Sequence, residues 1–112
     1  MKTTSACYRL SRTVVDEHIP LDNLRLETSP SGFCVLSYHH LDITKFESAG
    51  NQDTITMSFL NRTVRIAGTN LRELAIALQG RAVESIKPLV ERYASVSGSD
   101  ACVKSIEIED KE

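Results

Sequence analysis

The side chains best placed to do chemistry are the adjacent histidines His39 and His40. Read as part of a strand, His40 shares a face with Tyr38 and Asp42, while His39 points to the opposite side. An imidazole with a carboxylate two residues on can bind a metal or pass a proton. A stable metal site needs three or four converging ligands, so Cys34 or His18 would have to arrive from elsewhere in the chain. The plainer alternative is two half-exposed histidines at a strand end. Tyr38, His40 and Asp42 form the candidate polar cluster.

The cysteines Cys7, Cys34 and Cys102 are odd in number and widely spaced, with no C-x-x-C pair, which predicts reduced thiols in a cytoplasmic protein. A nucleophilic thiol needs a base or a helix N-terminus beside it. Cys34 lies about 20 Å from His40 along an extended strand, too far for activation within it. No G-x-S-x-G elbow is present, and Ser31, Ser97 and Ser99 fall in turn-like segments, where serine is expected on turn chemistry alone.

A second candidate is the segment Gly68-Thr69-Asn70-Leu71-Arg72. A strand, a glycine and a helix start can present free N–H groups to an anion. Arg62, Arg65 and Arg72 would add positive charge, and with Asn70 they form a candidate anion or partner patch. Residues 62–81 carry Arg62, Arg65, Arg72 and Arg81 against Glu73, four positive charges to one negative. Neither the P-loop pattern nor the dinucleotide fingerprint occurs. Asn70 as N-cap, with Glu73 completing a capping box, is the purely structural alternative.

These residues must be held by short elements. The clearest unit is a hairpin feeding a helix across residues 53–79. Ile55, Met57 and Phe59 alternate along one strand, and Val64 and Ile66 along the next. An Asn61-Arg62 turn predicts Phe59 opposite Val64, Met57 opposite Ile66 and Ile55 opposite Gly68. Leu71, Leu74, Ala75 and Leu78 then follow the helical period, with Gly80 at the end. Upstream, Cys7–Leu10 and Arg12–Val15 read as a short strand. Leu24–Thr28 and Phe33–Tyr38 predict a hairpin around Ser29-Pro30-Ser31-Gly32, with Leu26 opposite Val35. Leu41–Phe46 is a further strand, turning through residues 48–52. Downstream, periodicity predicts a second helix over about 83–94, and Cys102–Ile108 a closing strand.

The expected fold is α+β: an antiparallel meander of about 5–6 strands packed by one or two helices in the C-terminal half, in a single domain covering residues 1–112. Such a chain of 112 residues, 41% hydrophobic and 25% charged, can bury one core without metals or disulfides. The net charge of −2 and the absence of Trp argue against nucleic acid. No apolar run resembles a signal peptide or a membrane span, which points to a cytoplasmic protein. No cofactor is implied. The expected function is a non-enzymatic binding or assembly module, acting on an unknown protein partner or on itself as a homodimer through sheet edges. The alternative is a small enzyme or metal-binding protein using the Tyr38/His40/Asp42 face.

Overall fold

A computed structural model describes residues 7–10, 20–29, 31–88 and 102–110. The chain is α+β and mostly strand. The elements are β1 (Tyr8–Leu10), β2 (Asn23–Ser29), β3 (Gly32–Ser37), a single 3-10 turn (Tyr38–His40), β4 (Leu41–Ala49), β5 (Gln52–Phe59), β6 (Arg62–Thr69), α1 (Arg72–Gln79), β7 (Val83–Ile86) and β8 (Cys102–Asp110).

The strands form two four-stranded sheets, not one continuous meander. One sheet has the order β1-β7-β2-β3 and the other β4-β5-β6-β8. The second sheet keeps the expected meander through β4, β5 and β6, and adds β8 against β6. All pairings are antiparallel except β2 with β7, which is parallel. Buried side chains from both sheets and α1 join in one core. Leu24, Leu26, Val83 and Ile86 meet Ile55, Met57, Val64, Ile66 and Val103, with Leu71, Leu74 and Leu78 from the helix.

Two hairpins depart from the expected register, and the turn after β4 is tighter than expected. In the β5–β6 hairpin, Met57 faces Val64, Ile55 faces Ile66 and Ser58 faces Thr63, two residues away from the expected pairing. A tight type I′ turn needs positive φ at both central residues, and Arg62 does not favour that. The connection therefore runs through Phe59-Leu60-Asn61-Arg62. Because the side-chain period is two, the shift leaves every apolar residue on its expected face. In the β2–β3 hairpin, an irregularity between Leu26 and Ser29 sets Leu26 against Cys34 and leaves Val35 opposite Arg25. Phe33 and Val35 thereby point outward. The β4–β5 turn is tight: Ala49 pairs with Gln52 around Gly50, whose φ of +61° suits a residue without a side chain.

The helix expected over about 83–94 is replaced at its start by β7. Val83, Ser85 and Ile86 are all buried, because β7 is flanked by β1 and β2 and belongs to the interior. The buried face and the two β-branched residues favour a strand. Pro88 also disfavours helical geometry at Lys87. Leu89, Val90 and Tyr93 lie outside the described residues, as do residues 11–19 and the loop expected over 95–100.

Gly68 serves close approach. A Cβ there would collide with the backbone carbonyl oxygen of Cys102, so only glycine lets β6 meet β8 at the register shift between Ala67 and Gly68.

Candidate functional site

The expected helix cap is supplied from another element. Asn70 adopts φ +56°, and α1 has no side-chain cap from its own N-cap residue, Leu71. Instead Asp53 on β5 reaches over: its Oδ2 accepts the N–H of Leu71 at 3.0 Å, while its Oδ1 accepts the hydroxyl of Ser48 at 2.6 Å. These bonds hold the carboxyl of Asp53 below its ordinary pKa, with the Ser48 hydroxyl the largest contributor. The anion at this helix start is the protein's own carboxylate.

Two of the expected arginines also have partners. Arg62 lies 3.6 Å from Asp110 and Arg65 lies 3.5 Å from Glu107, each across the β6–β8 pairing. The local positive excess of the β6 segment is therefore offset by β8, which is distant in sequence. Arg72 is different. It is exposed, and among the described residues it makes no ion pair or hydrogen bond.

Arg72 lines an open groove of about 500 Å³ between β4 and α1, within the range of known ligand pockets. The strand side consists of Leu41, Asp42, Thr44 and Phe46. The helix side carries Arg72, Ala75, Ile76 and Gln79, with Leu78 beneath, and Tyr38 and Arg81 close one end. The helix residues follow the spacing i, i+3, i+4, i+7, a single stripe beside the core-facing Leu71, Leu74 and Leu78. β4 and α1 run in opposite directions. Asp53 joins Ser48 to Leu71 at one end, and Arg81 lies over the Tyr38 ring, 6.0 Å from its centroid, at the other.

The 3-10 turn breaks the strand alternation expected around the histidines. Tyr38 is buried, and its hydroxyl donates to the Val83 carbonyl at 2.7 Å. Burial pushes its phenol well above the ordinary value, outweighing the Val83 bond and Arg81, which act the other way. Asp42 is the extra residue at a bulge between Leu41 and Ile43 and lines the groove with Tyr38. His40 is exposed and is not among the lining residues. His39 lies 3.3 Å from Asp22 through Nε2. Among the described residues, no three His, Cys, Asp or Glu side chains gather in a way that could hold a metal ion.

Arg81 is fixed in place. Its Nε donates to the Leu21 carbonyl at 2.9 Å, its Nη2 lies 3.3 Å from Asp22, and Leu21 N–H donates back to the Arg81 carbonyl. Sequence reading missed Thr44, Phe46, Ile76, Gln79 and Arg81 as neighbours of Asp42 and Arg72. The signal within reach was Ile76, an apolar residue off the buried helical stripe; it is 51% exposed. Among the described residues, no helix is long and apolar enough to cross a membrane. No family model matches the chain, and neither a curated protein nor a solved structure matches it.

Proposed function

We propose that this chain is a non-enzymatic binding module that engages a protein partner through the groove between β4 and α1. The observation that carries this reading is the lining itself. Exposed Ile76 and half-buried Phe46 offer apolar contact, and Arg72, which has no partner among the described residues, offers a directional charge at the rim. The rest of the lining is mixed, with Asp42, Thr44, Gln79 and Arg81 beside Leu41, Ala75 and Leu78, so apolar area and placed polar groups occur together, as in binding sites generally. The titratable lining residues are Tyr38, Asp42, Arg72 and Arg81, and the Tyr38 hydroxyl donates to the Val83 carbonyl. The test is a photo-crosslinking amino acid placed at Ile76 in living cells, with the same probe at Lys104 on β8 as control. A discrete adduct from position 76 alone supports the reading; identical patterns from both positions refute it.

Self-association is a second reading, favoured by one observation. Phe33 and Val35 are 63% and 52% exposed on β3, an edge strand of its sheet. Exposed apolar edges are templates for strand pairing between molecules. Light scattering over a concentration series separates a dimer from a monomer.

A further inference from the structure

We infer that the occupant of the groove is an extended peptide segment that adds as a strand to the edge of β4 that no described strand covers, and sets an acidic side chain against Arg72. This rests on the groove being the binding surface, and it commits that surface to one chemistry.

Three features argue for it. First, β4 pairs with β5 on one side and with no described strand on the other, so alternate residues turn N–H and C=O groups away from β5. An extended peptide satisfies such groups with its own backbone, gaining affinity that does not depend on sequence. Second, the dimensions agree. The eight residues of α1 span about 12 Å, and four residues of a strand cover about 13 Å. Alternate peptide side chains then meet Ile76 and Phe46, which supply the apolar contact. Third, the charges differ between the two ends. Arg72, beside the end of β4, has no partner among the described residues, whereas Arg81 at the other end is already bonded to Leu21 and Asp22. Asp42 sits at that same far end, on its bulge. Asp53 and Glu73 also lie at the Arg72 end, so it is direct pairing with the Arg72 guanidinium that selects an acidic side chain there, while Asp42 disfavours one at the far end.

The test is amide-resolved NMR of the full chain, titrated with pools of blocked peptides built from Val, Ile, Thr and Phe. One pool carries Glu at either terminus and a second carries Lys there. Two further Glu pools are N-methylated at alternate residues, in opposite phases, and octanoate serves as a plain amphipathic carboxylate. The expected result is that the Glu pool shifts amides of β4 and α1, and that one N-methyl phase abolishes this while the other leaves it. The Lys pool and the Arg72→Ala variant are expected to weaken binding about fivefold, the scale of an exposed ion pair. Equal binding by both N-methyl phases, equal binding by the Lys pool, or binding by octanoate alone would overturn the inference. Silence from every probe with the Ile76 crosslink intact also overturns it and leaves the groove reading standing. Silence together with loss of the crosslink removes both.

Discussion

Asp53 and Leu71 are 18 residues apart, yet the carboxylate of one closes the helix that begins at the other, with the N–H of Leu71 at 3.0 Å. A strand residue therefore fixes where α1 starts and so sets one wall of the groove. Replacing Asp53 with Ala is expected to cost about 1 kcal/mol, the usual worth of a cap, measured by urea denaturation. The folded-state pKa of Asp53 is lowered, so its contribution is complete above the ordinary carboxylate pKa and lost as the pH falls through the lower folded value. Asp53→Asn should accordingly flatten the decline in stability on acidification below about pH 4. An unchanged acid limb would show that the cap carries no weight.

Tyr38 gives the opposite end of the pH scale. Its phenol is raised by burial, so the stabilisation is full below the ordinary tyrosine pKa of about 10 and is lost as the pH rises toward the folded value. Tyr38→Phe is expected to cost about 1 kcal/mol through the lost bond to Val83 and to weaken the alkaline dependence, leaving the part due to Tyr8, whose phenol is also raised by burial. Ultraviolet titration of phenolate absorbance, with melting curves at several alkaline pH values, checks both.

Gly68→Ala is expected to be the most damaging small substitution. The added methyl would meet the Cys102 carbonyl oxygen, and that oxygen is backbone in a paired strand, so it cannot swing aside. A loss of about 3 kcal/mol is expected, read as a lower denaturation midpoint. A loss below about 0.5 kcal/mol, the scale of an innocuous surface change, would show that β8 lies further from β6 than described here.

Ile76→Glu separates stability from binding. Ile76 is half exposed and stands off the buried stripe, so the fold should lose less than about 0.5 kcal/mol. Binding in the groove should fall well below detection of the wild-type shift pattern, because an acid placed between its walls repels an acidic partner. Intact binding by a folded variant would count against the groove.

Val35→Lys addresses the β3 edge. A charge on an edge strand blocks pairing between molecules, so any dimer seen by light scattering should disappear without loss of stability. Arg25, whose guanidinium lies 5.7 Å from the Phe33 ring centroid, already shields part of this edge. A dimer that persists in the variant would have to be built elsewhere.

What the sequence could and could not reveal divides along distance in the chain. The alternation of Ile55, Met57, Val64 and Ile66 identified β5 and β6 and the buried face, because that information is local. The two-residue shift in their pairing was hidden, since a period of two is blind to it. Val83–Ile86 reads as helix by periodicity, and its place between β1 and β2, which no local pattern shows, makes it a strand. The candidate site shows the same division. Arg72 and Asp42 each stand out in the sequence, and nothing in their spacing shows that one groove joins them. Arg62 and Arg65 looked like free charge because Asp110 and Glu107 lie more than 40 residues away along the chain.

The place of β7 between β1 and β2 also dictates an order of events during synthesis. The ribosome delivers β1 and β2 first, yet neither can bind the other, because the strand that separates them is made some 60 residues later. Until Ile86 emerges, β2 has only β3 beside it, while β4, β5 and β6 can zip locally at little cost in loop closure. The youngest strand of the first sheet is thus its keystone. A nascent chain halted before residue 83 would carry the β4–β5–β6 meander, still lacking β8, beside an open, adhesive edge on β2, the form most exposed to aggregation.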